Sequence, residues 1–328
     1  MKAKISYTAR YLPERVLTNF DLEKMVDTTD EWIRSRTGIE KRHLVGEGEA
    51  TSDMCTMIAK QLLEKSGKAP EEIDLILIAT STPDYMVVST AALVQDKIGA
   101  INAWGYDIVA ACTGFVYAME TGSKLVESGQ YKNAMVIGAD TMSSIIDYTD
   151  RNTCVIFGDG GGGVLLEPSK DETGILDSIL HVDGSGSKYL TVPAGGSLHP
   201  ASKDTVDKKM HYVYQDGKTV FKFAVKNMAD VSKRILDRNQ LTGDDIKLFI
   251  PHQANQRIID AAAKRCGLAD EKVFININRY GNTTAGTIPI ALDEAVESKR
   301  LKKDDILLLA AFGGGFTWGS MLIQWSNK

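Results

Sequence analysis

Two stretches of this chain, EEIDLILIATST from residue 71 and DDIKLFIPHQAN from residue 244, share one form, an acidic lead-in followed by an apolar strand. Each is followed by a helical stretch, TAALVQDKIG or RIIDAAAKRCG, and then by a segment expected to be a strand, AWGYDIVA or KVFININRY. Corner segments, CTG and NTTAG, then open long helices that end in the same tripeptide, VES, at 126–128 and 296–298. That offset of 170 makes Asn282 the repeat partner of Cys112. Each half closes with a strand, NAMVIGAD or DDILLLAAF, and a glycine-rich turn into a last strand. Strands and helices alternating in both halves imply an α/β fold with mainly parallel sheets buried by helices. The glycine turns, FGDG from 157 and FGGG from 312, lie only 155 residues apart, so the first half carries about fifteen extra residues near TMSSIIDYTDRNTC. Extra loops on such a scaffold shape or cover a site. The halves divide at 1–172 and 173–328.

Ligands in open α/β sheets lie beyond the carboxyl ends of strands. Cys112 follows YDIVAA, His252 follows LFIP and Asn282 follows INRYG. A pseudo-twofold arrangement of the halves brings these ends to one crevice. Cys112 also stands where a helical pattern, GFVYAMETGSKLVESG, begins, and amides at a helix start favour thiolate, the nucleophilic form. A buried cysteine acting as a small hydrophobe is the plainer reading of any one such residue. Likewise His252 read alone is a structural histidine, and Asn282 a turn former.

Composition narrows the function classes. Hydrophobic residues make up 43% and charged residues 25%, ordinary values for a globular enzyme, and the net charge of −5 argues against a nucleic-acid binder. No apolar run reaches the length of a membrane span, and the beginning MKAKISYTARYLPERVLTN lacks a signal-peptide core, so a cytoplasmic protein is expected. Four scattered cysteines form no CxxC pair and five histidines no metal-ligand spacing, so neither a disulfide framework nor a metal site is expected. GDGGGG at 158–163 satisfies GxGxxG, but VLLEP follows as a strand where a dinucleotide site needs a helix, and the run is expected to be a hairpin turn.

The motifs DIVAACTGF, PHQANQRI, NRYGNTTAGTIP and AFGGGFTWGS, in this order, resemble those of β-ketoacyl-[acyl carrier protein] synthase III, a family of the thiolase superfamily. The likeness runs from DEWIRSRTGI near the start through DRNTCVIFGDG in the middle. It implies a thiolase-like fold, with two βαβαβαββ halves in a five-layer αβαβα arrangement, and a homodimer. It also implies the initiating reaction of type II fatty acid synthesis. An acyl-CoA primer condenses with malonyl-[acyl carrier protein], releasing CoA and CO2 and leaving a β-ketoacyl thioester. CoA thioester is then a substrate, and no cofactor is implied.

Residue by residue, the resemblance makes Cys112 the acyl-accepting nucleophile, with His252 and Asn282 completing a triad. A thiolate suits thioester exchange, and neutral imidazole and carboxamide donate hydrogen bonds to the enolate formed by decarboxylation without adding a charge. The amides of Cys112 and Gly314 would hold the tetrahedral oxyanion. Trp32 and Arg151 would sandwich the CoA adenine, with Arg36 nearby, and Phe221, Ala254, Asn255 and Phe312 would line the pantetheine tunnel. An acidic carrier protein needs a local basic dock on an acidic enzyme, expected at Lys222, Arg257 and Lys264. Val87, where short-primer members often carry phenylalanine, is expected at the end of the acyl pocket and implies a primer branched or longer than acetyl. Three alternatives stand beside this one: an acyltransferase of secondary metabolism with another acceptor; a papain-like protease, whose Cys–His spacing fits but whose cysteine signature is absent; and a non-catalytic carrier-binding protein, which would not need all three triad residues.

Overall fold

Apolar runs such as LILIA and AMVIGAD are buried along their whole length, as strands covered by helices on both faces must be. The computed structural model describes residues 1–327 of the 328. The first sheet contains β1 (Ala3–Tyr11), β2 (Leu75–Ala79), β3 (Trp104–Ile108), β4 (Ala134–Asp140) and β5 (Gly160–Pro168) in the order β1-β5-β4-β2-β3. The second contains β6 (Gly174–Val182), β7 (Leu248–Pro251), β8 (Ile306–Gly313) and β9 (Thr317–Gln324) in the order β7-β8-β9-β6. In the first sheet β4–β2 and β2–β3 are parallel and β4–β5 and β5–β1 antiparallel. In the second only the edge pair β7–β8 is parallel, with β8–β9 and β9–β6 antiparallel, so the pairing is mixed rather than mainly parallel.

Seven longer helices frame the sheets: α1 (Asp30–Thr37), α2 (Thr51–Ser66), α3 (Thr90–Ile98), α4 (Gly114–Glu127), α5 (Gly217–Arg238), α6 (Gln256–Cys266) and α7 (Thr287–Glu297). Alternation along β2 decides the layering. Leu75 and Leu77 face inward with Phe115 of α4, Leu292 of α7 and Leu309 of the second sheet. Ile76 and Ile78 face the other way, onto Ile58 of α2 and Val94 of α3. On the far side, Met228 and Ile235 of α5 and Ile259 of α6 cover Phe249, Leu308 and Leu322. The result is five layers: helices, sheet, the α4–α7 pair, sheet, helices.

Three further sequence expectations are corrected. KVFININRY is not a strand. Val273 makes one isolated parallel bridge to Phe249, and Ile277–Tyr280 is a short helix. Asn276 turns the chain first, its amide donating to Gln253 Oε1 and its side chain to Glu294. Nor is the glycine run a hairpin turn, since Gly160–Gly163 lie inside β5 and the connection from β4 is the whole of 141–159. A Cβ at Gly162 would sit 2.8 Å from the Ile290 amide, so glycine there lets the start of α7 lie on the sheet.

The third correction concerns the repeat. Ala111 (φ +46°) and Thr284 (φ +49°) both adopt the left-handed conformation, and each opens a short 3-10 turn leading into α4 or α7. These corners are 173 residues apart (111 and 284; 114 and 287), so the structural counterpart of Cys112 is Ala285, not Asn282. The corners pack reciprocally. A Cβ on Gly313 of β8 would lie 2.8 Å from the Cys112 amide, and one on Gly138 of β4 would lie 2.4 Å from the Ala285 carbonyl.

Candidate active site

Cys112, His252 and Asn282 come from three separate elements and line one cavity of about 650 Å³. All three are nearly buried, at 7%, 2% and 5% exposure. Cys112 is carried on the 3-10 turn before α4, and His252 follows the last residue of β7, held by its amide's bond to Ala310. Asn282 follows a short helix rather than a strand, and its backbone is fastened to Ile156 and Gly158 of the long 141–159 connection.

The side chains are oriented by specific bonds. The Thr284 amide donates to Asn282 Oδ1 at 2.8 Å, which leaves the carboxamide NH2 for the Cys112 sulfur, the two side chains being hydrogen-bonded. His252 Nδ1 is 2.7 Å from Thr287 Oγ1, and its Nε2 is buried with no partner. Sequence reasoning missed Thr284 and Thr287; the signal, three threonines in NTTAGT, was present but unremarkable.

Burial dominates the electrostatics. The Cys112 thiol is pushed up to about 12 by burial, with Asp140 acting in the same direction; its bond to Asn282 and its own amide only partly offset this. The expectation that a helix start holds Cys112 as thiolate is therefore overturned for the free enzyme, because burial outweighs the amides. His252 is pushed down to about 3 by the same cause, so the pair rests as neutral thiol and neutral imidazole.

A second, mostly apolar cavity of about 350 Å³ meets the first at Cys112. Its walls include Met142, Ile145, Val192 and Val213, and Gly314. Among the described residues no backbone carbonyl accepts from the amides of Cys112 or Gly314.

The segment 106–184 matches the family described as 3-oxoacyl-[acyl-carrier-protein] synthase III, and 236–325 matches the C-terminal part of the same family. A β-ketoacyl-[acyl-carrier-protein] synthase III of Chlorobium luteolum is 57% identical over 99% of this chain and 100% of its own length. One of Koribacter versatilis is 55% identical over 99% of this chain and 98% of its own. The crystal structure of the Aquifex aeolicus 3-oxoacyl-[acyl-carrier-protein] synthase III superposes with a TM-score of 0.91 at 43% identity, covering 98% of this chain and 100% of that one. The chain belongs to this family.

In this synthase III chain, Trp32, Arg36, Phe221, Ala254, Asn255 and Phe312 all line the larger cavity. The Arg151 guanidinium lies 5.2 Å from the Trp32 ring centre and that of Arg36 lies 5.9 Å away. Arg151 also donates to the Asp27 carbonyl. Asn255 is already occupied in the fold: it caps α6 through the Arg257 amide and donates to the Arg36 carbonyl. Arg257 lies over Phe221 at 4.7 Å and lines the cavity, while Lys222 on α5 and Lys264 on α6 are exposed. Val87 departs from expectation. It is 95% exposed and lines neither cavity, because the 85–88 loop lies on the outside of its own chain. No helix among the described residues is long and apolar enough to cross a membrane.

Proposed function

We propose that the chain is the initiating condensing enzyme of type II fatty acid synthesis, transferring an acyl group from acyl-CoA to Cys112 and condensing it with malonyl-[acyl carrier protein]. The observation that carries this reading is the meeting of Cys112, His252 and Asn282 where a long, open cavity joins an apolar one. The larger cavity suits a pantetheine arm and the smaller one an acyl chain. Full-length relatives at 55–57% identity, all named β-ketoacyl-[acyl-carrier-protein] synthase III, favour this over the secondary-metabolism alternative.

Acyl transfer begins as the Cys112 thiol gives up its proton, which ends on the departing CoA sulfur. The sulfur attacks the CoA thioester, and the amides of Cys112 and Gly314 take the oxyanion. CoA thiolate leaves and is protonated. Malonyl thioester then enters by the same cavity. Its C–CO2 bond breaks, the electron pair passes to the thioester as an enolate, and hydrogen bonds from neutral His252 and the Asn282 NH2 stabilise the oxygen. The enolate carbon attacks the acyl-Cys112 carbonyl, expelling the sulfur and forming the β-ketoacyl thioester. Every step uses the chain's own groups, with CoA and carrier thioesters as substrates.

Adenine insertion between Trp32 and Arg151 requires Arg151 to move, since two stacked contacts need roughly 7 Å and the present gap is 5.2 Å. Lys222, Arg257 and Lys264, of which Arg257 lines the larger cavity and the lysines are exposed on α5 and α6, form the carrier dock. A cytoplasmic homodimer fits the exposed edge strand β3, with Trp104 and Tyr106 at the surface beside Tyr85, Met86 and Val87. Val87 serves the acyl end only through a second copy.

The test is intact-mass measurement after exposure to acyl-CoAs of graded length. The wild type should gain one acyl group and Cys112→Ala none. An adduct that persists in Cys112→Ala, or no adduct with any primer, contradicts the reading.

A further inference from the structure

The short stretch 282–287 controls both donors of the condensation step. Thr284, which fixes the Asn282 carboxamide, is a β-branched residue at φ +49°, a costly conformation that its surroundings must hold. Its hydroxyl donates to Asp140, and the Ala285 amide donates to the same carboxylate oxygen at 3.4 Å. The other oxygen of Asp140 accepts from Thr80 Oγ1 at 3.0 Å, the Ser81 amide at 2.7 Å and Thr82 Oγ1 at 2.9 Å. Five donors around one buried carboxylate suit an acceptor-only group and anchor the turn.

Three residues on, Thr287 Oγ1 lies 2.7 Å from His252 Nδ1 and 3.1 Å from the Thr284 carbonyl. A hydroxyl has one proton to give. Donated to the Thr284 carbonyl, it obliges Nδ1 to carry hydrogen and leaves Nε2 with a lone pair facing the cavity. Donated to Nδ1, it places the ring hydrogen on Nε2, which then donates. Nε2 has no other partner to decide between these forms.

We propose that Thr287 is the positioning residue that sets the tautomer of His252, donating to Nδ1 so that Nε2–H faces the substrate, on the turn anchored by Asp140. The inference rests on the condensing reading above, in which His252 acts as a donor. Thr287→Val keeps the shape of the side chain and removes the hydroxyl; Thr287→Ser keeps the hydroxyl.

The experiment records the nitrogen-15 resonances of His252 alongside the two half-reactions. In the wild type Nε2 should carry the proton. Thr287→Val should shift the imidazole resonances and slow condensation roughly a hundredfold, the size of a lost transition-state donor, while acyl-enzyme formation from acyl-CoA stays close to wild type. Thr287→Ser should restore both. Unmoved resonances in Thr287→Val, wild-type condensation in that variant, or equal losses in Val and Ser would overturn the proposal. A wild type that forms no acyl-enzyme would instead sink the condensing reading, and the resonances would still report the tautomer.

Discussion

At Cys112 the local influences oppose one another, and burial prevails over the amide and carboxamide that favour the thiolate. A raised thiol pKa means less thiolate at neutral pH, and a thiolate fraction that keeps growing as pH rises toward about 12. Inactivation by iodoacetamide should therefore accelerate steadily from pH ~7 to ~10, with no plateau near the ordinary thiol value of about 8.5. A plateau at or below that value would show that the amides prevail. The meeting of Cys112, His252 and Asn282 was legible in the sequence because each sits in a long motif. Asp140 and Thr287 were not, since a lone carboxylate and a threonine gain meaning only from contacts 144 and 35 residues away in the chain.

Among the elements, the two corners are the device that brings the halves together. Gly138 supports the corner at Ala285, and any Cβ there meets backbone at 2.4 Å. Gly138→Ala should cost roughly 1–3 kcal/mol in denaturant unfolding, as overpacking does. Gly184→Ala, with nothing within 4 Å of the added Cβ, should stay within about 0.5 kcal/mol. Equal costs would show that the close approach at Gly138 carries no weight. The proposed basic dock lies on the pair α5–α6, so Arg257→Glu should raise the KM for malonyl-carrier and leave priming by acyl-CoA intact; unchanged carrier kinetics would reject the dock. The apolar strands and both corner helices could be read from the sequence, yet the repeat register could not be taken from the VES tripeptides. Helix α7 has 11 residues where α4 has 14, which turns the 173-residue spacing of the corners into 170 at the helix ends. The acidic lead-ins at 71 and 244 keep the true spacing. The lost strand at 273–280 was hidden because asparagines that turn the chain sit among strand-like residues.

For the molecule as a whole, two related sheets close on a shared helical layer and leave their strand ends around one pair of joined cavities. Long-range assembly is what a linear reading cannot supply: Arg151 reaches Asp27 and Trp32 across more than a hundred residues, and Val87 points away from the site it was expected to bound. The central claim is carbon–carbon bond formation on an acyl-cysteine. Incubate the enzyme with acyl-CoA and malonyl-loaded carrier protein, then weigh the carrier. The account predicts a carrier bearing the β-ketoacyl group with the wild type and not with Cys112→Ala. A carrier that keeps its malonyl group, or loses only CO2 to become acetyl-loaded, with wild-type enzyme already acylated, would contradict it.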